Sequence, residues 1–222
     1  MKKTIIIDFD HTIGFFDQIV FLINIIEKKY DILLDDEKMN ILFEKYPKIF
    51  RPKLYEIIHH ILHYKNNDYI TFFILYTKNI QPRFVESVIL FLETKIDKSH
   101  MFDFKIFEKS QDKNIYSIIQ TIECEDINEH CFCVIDNRMY NYHGDVKYIK
   151  CEDYVYFYSI QELIDSFPYD TFTKINKPLL LRYLKIKKFK KKKKNTLHQS
   201  IYEVNSSFII HSIRDFIFSS SI

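Results

Sequence analysis

Short apolar runs alternate along this chain with stretches whose apolar residues recur at helical spacing. Thr4–Phe9 reads as a buried strand, "YITFFILYT" (69–77) as a second, "MFDFKIF" (101–107) as a third and "CFCVID" (131–136) as a fourth. A fifth strand and a short helix fall within 146–167. Asp17–Lys29, Asp36–Tyr46 and the segments 51–64, 82–96 and 113–123 carry the helical pattern, with Pro52 and Pro82 where a first turn tolerates proline. Strands alternating with helices predict an α/β fold, a parallel sheet wrapped by helices. The expected domain covers 1–175, with 18–50 as a small helical insertion after the first strand. Past residue 176 the pattern changes. A charge run (182–195) precedes an amphipathic stretch (200–218) with Ile209, Ile213, Phe216 and Ile217 near one face. Residues 176–222 are therefore expected to form a basic tail, disordered or amphipathic.

Polar residues gather where strands end: Asp8 and Asp10, then Thr77, then Asp136 and Asn137. Unpaired carboxylates avoid cores, and open parallel sheets bind ligands beyond the carboxyl ends of their strands. Three strands thus deliver polar groups to one rim.

Composition narrows the chemistry. The 222 residues contain only two glycines, Gly14 and Gly144. That excludes a Walker loop and a GxGxxG dinucleotide fingerprint, which need several glycines close together. The net charge of +2 conceals nine Lys or Arg among the thirteen residues from Arg182 to Lys194. Such a run is a solvated tail or a binder of nucleic acid or an acidic membrane surface. Cys124, Cys131, Cys133 and Cys151 form no CxxC pair and read as reduced core thiols. His59, His60 and His63 share a helix, and His59 and His63 stand at a zinc-compatible spacing with no third ligand in view. The amino terminus runs straight into strand pattern and no apolar run approaches the ~18 residues of a membrane span. An intracellular protein of a reducing compartment, cytoplasmic or nuclear, is expected.

"DFDHT" (8–12) fits the DxDxT signature of the haloacid dehalogenase superfamily of phosphatases. With "FRPKLYEII", "FFILYT", "FKIFEKSQDK" and "VIDNRMYNY" following in order over residues 1–167, the chain resembles the branch of carboxy-terminal-domain phosphatases and nuclear-LIM-interactor-interacting-factor-like proteins. The resemblance implies a Mg²⁺-dependent phosphomonoester hydrolase working through an aspartyl-phosphate. Asp8 would be the nucleophile, and Asp10 the general acid and then base. Asp8, the Asp10 carbonyl and the Asp136/Asn137 pair would hold Mg²⁺. Residue chemistry agrees: phosphate monoesters need something near ~20 kcal/mol of catalysis, and a carboxylate nucleophile divides the reaction into two easier displacements. Thr77 and a lysine would bind the phosphoryl oxygens. Lys113 is preferred because it opens the helix before the Asp136 strand, with Lys105 and Lys109 as the other candidates. A phosphorylated macromolecule, in particular a phosphoserine or phosphothreonine protein, is the expected substrate. A nucleic-acid end phosphatase and a non-catalytic binding module on the same fold are the alternatives.

Overall fold

A computed structural model describes residues 1–109, 113–123, 129–140, 146–186 and 198–219. Cys124, Gly144 and the basic run from 187 to 194 lie outside them. Five strands, β1 (Lys2–Ile7), β2 (Phe72–Thr77), β3 (Phe104–Phe107), β4 (His130–Asp136) and β5 (Val146–Lys150), form one sheet in the order β3-β2-β1-β4-β5, with every neighbouring pair parallel. The chain builds outward from β1 through β2 to β3, then returns to the other side of β1 for β4 and β5. The crevice where strand order reverses therefore lies between β1 and β4, the place where open α/β sheets put their ligands.

Side chains alternate across the sheet, and the two faces are covered unequally. Ile5 and Ile7, Phe73 and Leu75, and Cys133 and Ile135 join the large core beneath α1 (Asp17–Tyr30), α2 (Asp36–Lys45), α3 (Leu54–Asn66) and α4 (Pro82–Ile96). Ile6, Ile74, Tyr76, Phe132 and Val134 point the other way, where the short helix α5 (Ile115–Thr121) covers them with Ile115 and Ile118. The helices α6 (Ile160–Asp165), α7 (Lys177–Ile186) and α8 (Gln199–Phe218) complete the chain. This is an α/β fold with an all-parallel five-stranded sheet flanked by helices, of the Rossmann-like class.

The structure refines three expectations. The segment after β1 forms two helices, built into the thick layer with α2 on α4 and α1 on α7. The carboxyl-terminal stretch also belongs to the body. Leu180 and Leu184 of α7 and Ile209, Ile213, Phe216 and Ile217 of α8 are core residues, each such burial being worth about 1.5–3 kcal/mol. α8 packs on α3, and Lys3 Nζ of β1 donates to its last carbonyls at Phe216 (3.0 Å) and Ile217 (2.5 Å). Pro52 precedes α3 instead of opening its first turn. Lys53, in the left-handed region at φ 58°, makes the turn, and the helix starts at Leu54. Among the described residues no helix is long and apolar enough to cross a membrane.

Candidate active site

The register of the sheet assembles the site. Ile7 pairs with Ile135 and Asp8 N donates to Ile135 O (3.0 Å), so Asp8 and Asp136 leave the β1–β4 crevice side by side. Period-two alternation turns both carboxylates, with Tyr76 of β2, toward the α5 face. Lys113 arrives on that face just ahead of α5, whose first turn Asn114 caps by accepting from Ser117 N. Lys113 Nζ reaches Asp8 Oδ1 at 2.5 Å and Asp136 Oδ2 at 2.8 Å, and the lysine is 2% exposed. Burial alone would lower its pKa, but the charges and hydrogen bonds of the two aspartates outweigh burial and raise it. Lys105 instead pairs with Glu86 at the surface, and Lys109 is exposed. Of the three candidate lysines, Lys113 is the one that meets the carboxylates.

Asp8 is 8% exposed, and its other oxygen faces Thr12 Oγ1 at 3.2 Å. The same hydroxyl lies 3.2 Å from Asn137 Oδ1 and accepts from Asn137 N at 3.2 Å. With a single hydrogen, Thr12 donates to one of the two oxygens at a time. Asp136 Oδ1 accepts from Arg138 N (2.8 Å), and burial together with the Asp8 charge pushes the Asp136 carboxyl up, against the pull of Lys113. Asp10 stands apart from this cluster. Asn79 Nδ2 lies 3.2 and 3.1 Å from its two oxygens, and burial, then the Asp8 charge, pushes it up to about 6. The fully buried Thr77 accepts from Asn79 N at 3.0 Å, so Asn79 ties the end of β2 to Asp10.

The loop carrying Asp8 to Thr12 is held by its own turn and from behind. His11 takes the left-handed region at φ 63°, and its N–H donates to Gly14 O (2.7 Å). A Cβ on Gly14 would fall 2.5 Å from Ile49 O, so only glycine fits there. Arg51 donates to the carbonyls of Thr12 (2.6 Å), His11 (2.9 Å) and Glu152 (2.6 Å) and to Asn205 Oδ1 of α8 (3.0 Å). At the mouth, the Tyr140 ring has Lys113 Nζ 5.4 Å and Lys78 Nζ 5.7 Å from its centre.

Thr12, Asn79, Tyr140 and the Arg51–Asn205 link are not among the site residues expected from sequence. Asn79, two residues past Thr77 at a strand end, carried a readable signal. The rest needed the fold. The exposed histidines of α3 gather no further ligand: among the described residues no three His, Cys, Asp or Glu side chains form a metal cage. Mg²⁺ is ordinarily held by one or two carboxylates completed by water and substrate oxygens. Asp8, Asp136 and Asn137 Oδ1 are all hard oxygen donors around one hydroxyl and one ammonium, and this donor set fits Mg²⁺. Cys133 and Cys151 are buried free thiols and Cys131 a half-buried one. No family model, curated protein or solved structure matches this chain.

Proposed function

We propose that the protein is a Mg²⁺-dependent phosphomonoester hydrolase of haloacid-dehalogenase type, acting through an aspartyl-phosphate on Asp8. One observation carries this reading. Asp8, Lys113 and Asp136, scattered over 129 positions of sequence, meet within hydrogen-bond distance at the switch point of the sheet. Two carboxylates and an ammonium taken nearly out of water are costly to assemble, and such clusters concentrate at functional sites.

The residues divide the reaction as follows. An Asp8 oxygen attacks phosphorus, and the bond from phosphorus to the leaving oxygen breaks. Asp10, its carboxyl pushed up toward neutrality, gives that oxygen its proton. The resulting aspartate then takes a proton from water, whose oxygen attacks the phosphorus and frees Asp8. Lys113 binds the phosphoryl oxygens, and its ammonium offsets their charge in the transition state. Thr77, fully buried with its hydroxyl accepting from Asn79 N, supports the site through Asn79 instead of by direct contact. Asp8, the Asp10 carbonyl, Asp136 and Asn137 would hold Mg²⁺, which screens the dianionic phosphate from the carboxylates that face it.

A phosphorylated macromolecule, most simply a phosphoprotein, suits the rim. Ile80 after β2 is 88% exposed and Met139 after β4 is 65% exposed, beside the exposed Arg138, so a chain carrying the phosphate meets apolar and cationic contacts there. The test is phosphate release from p-nitrophenyl phosphate with Mg²⁺ or chelator, for the native chain and for Asp8→Asn. The expected result is metal-dependent turnover that falls by about 10³-fold or more in the variant. No turnover by a folded, Mg²⁺-supplied protein would contradict the reading, as would turnover indifferent to Asp8.

A further inference from the structure

Asn137 is an amide where two orientations compete. With its oxygen turned toward Asp8 it supplies a hard donor to a cation. Turned over, it would offer N–H groups to Thr12 Oγ1 on the Asp8 side and present no oxygen to a cation there. In the structure Asn137 Nδ2 donates to Asp153 Oδ1 at 2.8 Å, and Asn137 Oδ1 faces Thr12 Oγ1 on the Asp8 side. A carboxylate accepts and cannot donate, so Asp153 admits only the orientation with the amide nitrogen toward itself.

The backbone on both sides of Asp153 is fixed. Cys151 N donates to Asp136 O (3.1 Å), Glu152 O accepts from Arg51 (2.6 Å) and Glu152 N donates to Asn205 Oδ1 (3.2 Å). Tyr154 N donates to His11 O (2.9 Å), and Val155 N donates to the Tyr202 hydroxyl (3.3 Å). Asp153 therefore follows neither the loop after β4 nor a passing ligand. It is an acceptor on a fixed backbone that faces the Asn137 amide.

We infer that Asp153 is a positioning residue, which holds the Asn137 amide with its oxygen toward Asp8 and so makes residue 137 a cation ligand. This rests on the Mg²⁺ reading above. Partners behind metal ligands commonly set affinity by 10–100-fold.

The test is Mg²⁺ titration of the full chain by calorimetry, with circular dichroism confirming the fold of each variant. Asp153→Ala is expected to weaken Mg²⁺ by about 10–100-fold. Asp153→Asn, whose amide can donate as well as accept and so admits either orientation of Asn137, is expected to lose most of what Asp153→Ala loses. In an Asn137→Asp background, whose carboxylate has no wrong end, Asp153→Ala is expected to cost nothing further. Native affinity in Asp153→Ala would overturn the inference. So would native affinity in Asp153→Asn, which would show that the choice of orientation does not matter, or an undiminished loss in the Asn137→Asp background, which would make charge or direct ligation by Asp153 the agent. Failure of the native chain to bind Mg²⁺ would instead remove the metal reading, and this inference with it.

Discussion

Arg51 and Lys113 are both 2% exposed, and both hold the segment from Asp8 to Thr12, yet their partners differ in kind. Arg51 spends its donors on three backbone carbonyls and one side-chain amide. Burial pulls its pKa down, and a guanidinium stays charged regardless, so it is a fixed bracket. Lys113 meets two carboxylates: against burial, which would lower its pKa, their charges raise it, while the Asp136 carboxyl is pushed up by burial and the Asp8 charge. A fork of planar donors matching neutral oxygens organises a backbone. A compact ammonium between two acids leaves an excess negative charge among buried groups, which the proposed cation and phosphoryl group would rearrange on entering. Burial alone does not separate scaffold from chemistry; the charge of the partners does.

Substitutions at the two cations should therefore separate activity from stability. Lys113→Met is expected to lower phosphate release by about 10²–10³-fold, the usual worth of a positioned transition-state donor. Because it removes a positive charge, Mg²⁺ should raise the melting temperature of that variant more than that of the native chain. Arg51→Met is expected to cost about 3 kcal/mol in urea unfolding, since it strands several buried acceptors at once. Arg51→Lys should recover only part of this, because one ammonium cannot serve four oxygens spread over two loops and a helix. Asn205→Ala, which removes one acceptor shared by Arg51 and Glu152 N, is expected to cost about 1–2 kcal/mol with turnover little changed at low temperature. Equal stability losses at Arg51 and Lys113, or a larger activity loss in Asn205→Ala than in Lys113→Met, would break the comparison.

Sequence legibility follows the same division. The four principal strands and the helices among them were visible because buried strands and amphipathic helices have distinct periods. The strand-end aspartates stood out because charges seldom close an apolar run. The apolar face of α8 was readable too, since the expected residues Ile209, Ile213, Phe216 and Ile217 are the buried ones. What it packs against was not readable, because amphipathicity names a face and no partner, and the preceding lysines resemble a solvated segment. Arg51 was legible only as part of an Arg-Pro pair. Its role depends on carbonyls, which every residue has, so no pattern of side chains announces it. Asn79 stands at a readable strand end, but its contact with both Asp10 oxygens across 69 positions, like the Asn137–Asp153 bond across 16, is a relation that only the folded register creates.

The most direct test of the central claim is to look for the covalent intermediate itself. The protein would be incubated with Mg²⁺ and acetyl phosphate, quenched in acid, and the modified peptide located by mass spectrometry. Asp10→Asn would be run beside the native chain. A hydroxylamine-labile phosphate on Asp8, accumulating further in Asp10→Asn because the water-activating base is gone, is the predicted result. Phosphate release continuing with no phosphate ever found on Asp8 would contradict it.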